Sequence, residues 1–202
     1  MRRTKEEAEQ TRLKIIEAAL KLFSRNGYSH TTLAMIAREA GFSRGPIYWH
    51  FSNKDELYEA VLAYSQDPLQ ALVRQTLEAD SPVDAITGFV DEWFRLLEDD
   101  RWYRQSFEIL LNKTELTGEM ARTIRRERRL TRDIVAMFEK RIAEAQKARQ
   151  CDQSDSARRL ALLAYTYLMG ITQSWLFSPR LFSLAREKAF FRARLLRTLG
   201  MH

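Results

Sequence analysis

The chain has 202 residues, a formal net charge of +6, 45% hydrophobic residues and 11% aromatic residues. That is enough apolar material for a real core, and the length suits a small module joined to a larger one. Seven glycines and four prolines give few strand-and-turn signals and argue against all-β and βαβ designs, while the single cysteine, Cys151, excludes an intramolecular disulfide framework and a multi-cysteine metal site.

The charged start MRRTKEEAEQTR has no apolar h-region. No apolar run reaches the ~18 residues of a membrane span, so a cytoplasmic protein with no membrane partner is expected. Glu7 to Asn26 reads as an amphipathic helix on Leu13, Ile16, Leu20 and Phe23, with Ala19 beside them. Gly27 ends it. Thr31 or Thr32 caps a short helix over Leu33–Ala40, whose inward side is Leu33, Ile36 and Ala37. Gly41 closes that helix and Ser43 can cap the next, through Phe51. Ser52 or Asn53 caps a fourth, with Asp55 or Glu56 as the capping-box partner.

The fourth helix runs from Lys54 towards Leu77. Pro68 lies inside it and predicts a kink or break near residues 64–67. Ser81-Pro82 starts a helix through about Glu98, and another spans Trp102–Lys113. Gly118 precedes a long one at about 119–148. Arg149-Gln150-Cys151-Asp152 reads as a polar turn, and nothing beside Cys151 is an obvious partner for a redox switch. Ser154 caps an apolar helix that Pro179 ends, and a last helix runs from about Ser183 to Leu199. The expected fold is all-α, about nine helices. Residues 1–53 would form a three-helix helix-turn-helix domain, and residues 54–202 a larger ligand-binding and dimerisation domain.

Charge is concentrated at the start: residues 1–54 hold ten Lys/Arg against five Asp/Glu. A basic surface suits a polyanion. A second run, Arg122 to Arg132, contains six arginines and reads as the solvated face of a long helix.

The stretch GFSRGPIYWHFSNKDEL, residues 41–57, carries the most chemistry. On a helix, Ile47 and Phe51 are four apart and share a side that can pack inward. Arg44 and Tyr48 share a neighbouring outward side with Gly45. Pro46 lies in the first turn, where its missing N–H costs little. So short a helix cannot hold itself together and must be clamped by its neighbours. Two short helices joined by a Gly-containing turn form a helix-turn-helix, whose second member enters the DNA major groove by its N-terminal residues. Arg44 offers a planar fork matching O6 and N7 of guanine. Tyr48 can reach a phosphate or a thymine methyl. His50, and the amino end of the fourth helix with Lys54, can bind phosphate. Read residue by residue, His50 also fits a surface histidine, and Trp49 a packing residue.

The segment TTLAMIAREAGFSRGPIYWHFSNKDELYEAVL resembles the DNA-binding module of TetR-family transcriptional repressors. The family pattern is met at Thr32, Ile36, Ala37, Ala40, Gly41, Ser43, Gly45, Ile47, Tyr48, His50, Phe51, Lys54 and Leu57. The resemblance places base reading at Arg44 with Gly45 beside it, and phosphate contacts at Thr32, Tyr48, His50 and Lys54. Ser43 and Trp49 complete the expected DNA-binding set. Pro46 stands where relatives have a small residue such as alanine. EILLNKTELTGEMA (108–121) and YLMGITQSWLFSPRLFSL (167–184) resemble the AcrR-type subgroup, repressors of multidrug efflux pump genes.

In the larger half, the helix over 156–178 is apolar nearly all round and needs burial on more than one side. With the last helix it could form a four-helix dimer interface through Tyr167, Ile171, Trp175, Phe191 and Leu195; a central helix in a monomer is the alternative. A homodimer would set two reading helices ~34–36 Å apart on a palindromic operator. Phe89, Trp93, Phe94, Trp102, Phe107, Phe138 and Met169 could line an apolar cavity for a hydrophobic small-molecule inducer, or could be plain core. Glu108 and Gln173 are the polar candidates there, since the subgroup typically binds hydrophobic, often cationic drugs.

The reading is therefore a ligand-responsive dimeric repressor on double-stranded DNA, controlling a multidrug efflux pump operon, with no cofactor and no metal. The alternatives are a TetR-type regulator of an unrelated metabolic or lipid operon, and a helical ligand-binding protein that never touches DNA. Catalysis is not expected. With three histidines and no HExxH, GxSxG or phosphate-loop pattern, no catalytic constellation is in view.

Overall fold

A computed structural model describes residues 5–114 and 120–201. Among these residues the elements are nine α-helices and no strand. Gly118, expected just before the long helix, lies outside the described residues. Two compact units divide the chain: residues 1–65 with 102–123, and residues 66–101 with 124–202. The unit that holds the helix-turn-helix thus extends beyond residue 53.

The first unit is built on α1 (Lys5–Asn26), α2 (Leu33–Glu39) and α3 (Arg44–His50). α1 buries Ile15, Ile16, Ala19, Leu22 and Phe23. Leu13, expected on that side, is 42% exposed. With Ile15, Ala19 and Leu22 at the centre of the stripe, Leu13 falls on its flank. Gly27, at φ +77°, ends α1, its N–H donating to the Phe23 carbonyl at 2.9 Å. Thr32 is the cap of α2, its Oγ1 accepting from the Met35 N–H at 3.2 Å. Thr31 is instead fully buried, its hydroxyl donating to the Gly27 carbonyl at 2.8 Å.

Gly41, at φ +74°, makes the turn to α3, a conformation that costs a residue with a Cβ. Ser43 occupies the N-cap position of α3, but its hydroxyl makes no cap hydrogen bond. α4 (Lys54–Glu78) is capped by Asn53, whose Oδ1 accepts from the Glu56 N–H at 2.8 Å. The Glu56 carboxylate reaches back to the Ser52 N–H at 2.7 Å. The helix runs unbroken through Pro68, so the expected break is not there. Behind the reading segment, Tyr58 is fully buried against Phe23 and Tyr28, with ring centroids 5.5 and 4.9 Å away. α6 (Arg101–Asn112) adds buried Tyr103, Phe107, Ile109 and Leu110 to this unit.

The second unit contains α5 (Pro82–Asp99), most of α7 (Ala121–Lys147), α8 (Ala157–Phe177) and α9 (Leu184–Thr198). Ser81 caps α5 and Pro82 starts it, where a proline needs no N–H partner. Ser156, rather than Ser154, caps α8. Its buried side is Leu160, Ala161, Ala164, Leu168, Ile171, Thr172 and Leu176. By length and composition alone α8, at a mean hydropathy of 1.2, passes the test for a membrane span, a test that the core helix of a soluble protein also passes. α5 and α9 are tied by Lys188–Glu98 at 2.6 Å and Arg192–Asp91 at 2.8 Å. Cys151 is buried, not in a solvated turn, and burial pushes its thiol pKa up, so it is a poor nucleophile.

Three buried polar arrangements hold the second unit. Trp93 donates its indole N–H to the Thr172 hydroxyl at 2.9 Å. Arg141, on α7, is 5% exposed and donates to the carbonyls of Thr76 in α4's last turn and of Ala79 just past it, and to Glu144. It thereby satisfies carbonyls that a helix end leaves without partners. Gln66, 2% exposed on α4, donates its side-chain amide to the Glu127 carboxyl on α7. Burial raises the Glu127 pKa from 4.5 to about 7, and the nearby Arg126 opposes this only partly.

Replacing Arg141 with Met should lower stability by about 3 kcal/mol, read from urea unfolding, because it strands carbonyls and the Glu144 carboxylate. Glu127 gives a pH signature. The folded chain keeps a proton that the unfolded chain loses, so stability falls as pH rises from 4.5 to about 7. Glu127→Gln should remove that decline and leave the variant about 2–3 kcal/mol more stable than the parent at pH 8; parallel melts at pH 5 and 8 measure it.

Candidate nucleic-acid interface and effector site

α3 is seven residues long and packs on α1 and α2 through one residue face. Ile47 is 0% exposed and Phe51, its C-cap residue, 2%. Arg12 of α1 lies 5.6 Å over the Phe51 ring. Lys21 of α1 pairs with Glu39 of α2, which holds that carboxyl below its usual pKa. With the inner side fixed, the outer side follows. Ser43, Arg44 and Gly45 are exposed, and Tyr48 is 58% and Trp49 71% exposed. Trp49 is therefore no packing residue. Arg44 has no ion-pair or hydrogen-bond partner among the described residues.

Gly45 is informative by what does not surround it. A Cβ added there would meet nothing within 4 Å, and its φ is not in the left-handed region. Nothing inside the chain requires glycine, which costs an exposed helix up to ~1 kcal/mol against alanine. Pro46 sits at the third helical position, where the N–H would be an orphan.

The amino end of α4 adjoins this surface. Lys54 lies 4.0 Å over the Tyr28 ring and donates to the Tyr28 carbonyl at 3.1 Å. Tyr28 donates its hydroxyl to Asp55. The ammonium is thus held at the start of α4 rather than swinging freely. His50 is half-buried, edge-on to Trp49 at 4.5 Å and 6.3 Å from Phe51. Thr32 is exposed, and its hydroxyl is engaged as the α2 cap.

The expected ligand residues divide between the two units. Phe89, Trp93, Phe94 and Phe138 are fully buried in the second, Phe89 lying 4.9 Å from Phe138 and 5.9 Å from Trp93. Met169 and Gln173 are half-buried on α8 of the same unit. Trp102, Phe107 and Glu108 belong to the first: the Trp102 ring lies 4.6 Å from that of Tyr64, tilted by 55°, Phe107 is buried, and Glu108 is half-buried. Sequence reading missed Gln66 and Glu127. Further along the same two helices a groove of about 330 Å³ is lined by Val73, Leu77, Leu130 and Met137 together with the charged Arg74, Asp133 and Lys140.

Of the expected dimer residues, Leu195 is 0% exposed and Ile171 9%, so both belong to the chain's own core. Tyr167 donates its hydroxyl to the Phe191 carbonyl at 3.2 Å, and Trp175 and Phe191 are half-buried. The large apolar side chains left exposed in this region are Leu162, Leu163, Phe177, Leu181 and Phe190.

Known proteins share both halves. Residues 15–61 match the family model for bacterial regulatory proteins of the tetR family. Residues 82–201 match that for the C-terminal region of MAATS-type transcriptional repressors. The transcriptional regulator AcrR of Shigella flexneri is 33% identical over 198 residues, covering 96% of this chain and 92% of that protein. TtgR of Pseudomonas putida is 35% identical over 181 residues, covering 89% and 86%. In structure the chain is similar to NalD, the secondary repressor of the MexAB-OprM multidrug efflux pump in Pseudomonas aeruginosa. The TM-score is 0.87 at 28% identity over 97% of this chain and 98% of that one. SmeT, in a complex with triclosan, superposes with a TM-score of 0.81 at 25% identity, covering 94% and 91%. With a solvent-facing arginine, glycine and tyrosine on a braced third helix, and matches that span nearly its full length, this chain belongs to the TetR family of bacterial transcriptional regulators, with a MAATS-type C-terminal region.

Proposed function

We propose that the protein is an effector-responsive repressor that binds a palindromic operator as a homodimer, acts in the cytoplasm and controls a multidrug efflux operon. The observation that carries the reading is the division of α3: Ile47 and Phe51 buried, Arg44, Gly45 and Tyr48 presented. Arg44 reads guanine through its fork. Gly45 lets the backbone come close to a base or sugar. Tyr48, Trp49, Thr32, Ser43 and His50 hold the register on phosphate and sugar, and Lys54 adds charge at the amino end of α4. The exposed Leu162, Leu163, Phe177, Leu181 and Phe190 supply an apolar surface suited to a second copy. A hydrophobic effector would enter among the buried aromatic residues of the second unit and act through α4, to which both units contribute residues. Such an effector must prefer the DNA-free form by as much as it weakens operator binding.

Two experiments test the DNA side. Arg44→Ala should lose ~1–3 kcal/mol of discrimination between operator and scrambled duplex, while Lys54→Ala should weaken both alike and reduce the salt slope by about one. Titrations across salt decide between them; equal losses on both duplexes in Arg44→Ala would remove it as the reader. Gly45→Ala should act in opposite directions on two readouts. The melting midpoint should hold or rise, since the site has room and alanine favours helix, while operator affinity falls at least tenfold. A variant that binds operator as tightly as the parent would show that no close approach occurs there.

A further inference from the structure

Four helix starts in this chain share one arrangement. Thr32, Asn53, Ser81 and Ser156 each use a side-chain oxygen to accept from the backbone N–H three residues on, those of Met35, Glu56, Asp84 and Arg159, at 2.8 to 3.3 Å. Ser43 has the extended backbone of such a cap, φ −71° and ψ 172°, yet its hydroxyl makes no cap hydrogen bond. The residue three on is Pro46, which has no N–H to give. Ser183 also precedes its helix without a side-chain cap bond, but there the N–H three residues on is present and donates to the Ser183 carbonyl at 3.1 Å. At α3 the donor itself is missing.

We propose that Pro46 is a positioning residue for operator recognition: by withholding the N–H that would hold Ser43 as a cap, it leaves the Ser43 hydroxyl to the duplex. The inference rests on the repressor reading above and deepens it, giving Pro46 and Ser43 a joint part in the DNA contact. A serine hydroxyl has one donor hydrogen and two acceptor lone pairs, and its χ1 has three wells. Capping selects one well and turns the oxygen towards the chain's own backbone. A capping hydroxyl gives up that hydrogen bond when it turns outward, so its net gain on DNA is small. Ser43 gives up nothing.

The place of Ser43 suits this task. It is exposed beside Arg44 and Gly45, with Pro46 half-buried in the same first turn. Thr32, in the same proposed interface, is the contrast, because its oxygen already accepts from the Met35 N–H. The partner of the Ser43 hydroxyl is a phosphate oxygen, to which it donates. A neutral hydroxyl releases no counterion, so the contact fixes register without adding to the salt dependence of binding. The arrangement forgoes a cap in a seven-residue helix that does not hold itself together. Burial of Ile47 and Phe51 offsets that loss.

The test is a double-mutant cycle on the full chain: the parent, Ser43→Ala, Pro46→Ala and the double variant. Each is melted without DNA, which also shows that it is folded, and titrated across salt against a duplex that the parent selects from a randomised pool. In the parent, Ser43→Ala should leave the melting midpoint within about 1 °C and weaken duplex binding about fivefold, with the salt slope unchanged. In the Pro46→Ala background residue 46 regains its N–H. The same serine change should there lower the midpoint by about 2–4 °C and weaken binding by no more than about twofold. Ser43→Thr in the parent keeps the hydroxyl and should keep the binding that Ser43→Ala loses. A midpoint drop of equal size in both backgrounds, an equal binding loss in both, or no binding loss in the parent would overturn the inference. If Arg44→Ala loses the selected duplex while Ser43→Ala does not, the repressor reading stands without the inference. If no duplex is selected, the two fail together.

Discussion

What the third helix presents to solvent depends on burying two side chains, Ile47 within its seven residues and Phe51 at its C-cap. Two turns of helix have no stability of their own in water, because the first turn costs more order than its hydrogen bonds return. Ile47 and Phe51 supply the missing free energy from behind, at roughly 2–3 kcal/mol each on full burial. They also set the rotation of the helix. With Ile47 fixed inward, Arg44 and Tyr48, one turn apart, must share another side, and Gly45 lies next to Arg44. The turn at Gly41 and the cap at Thr32 fix where α3 begins. The lysine at the start of α4 is held over Tyr28, so the anion-attracting end of that helix is also set before DNA arrives.

This part was legible in the sequence for a physical reason. Turn glycines, caps and an i,i+4 apolar pair are local, and a helix-turn-helix is made of little else. Helix ends came within a residue or two of their observed places for the same reason, since Thr32, Gly27 and Ser81 act on neighbours three or four residues away. What failed was long-range. Of the kink or break expected at Pro68, the break is absent, because α4 is continuous there. Leu13 joined a stripe by spacing but lies at its edge. Ile171 and Leu195 looked fit for a partner because apolar spacing does not say which of two apolar faces the chain keeps for itself. The Gln66–Glu127 pair had a signal that went unread. Glu127 stands four after Thr123 and three before Leu130, both buried, so a carboxylate occupies the inward stripe of an otherwise arginine-rich segment.

Exposure of most arginines in that segment explains why desolvation still raises the Glu127 pKa, to about 7, despite so many nearby cations. An exposed guanidinium ~7 Å away, screened nearly as in water, is worth only about 0.6 kcal/mol to the carboxylate. Taking a carboxylate out of water costs several kcal/mol. Arg126 is the cation that does act, and Asp67 shares it. Desolvation therefore wins over the surface charge. The same chain treats charge in two opposite ways. On α3 a guanidinium stays in water without a partner, ready for an anion. Between α4 and α7 a half-buried acid is held by a side-chain amide, and desolvation raises its pKa to about 7.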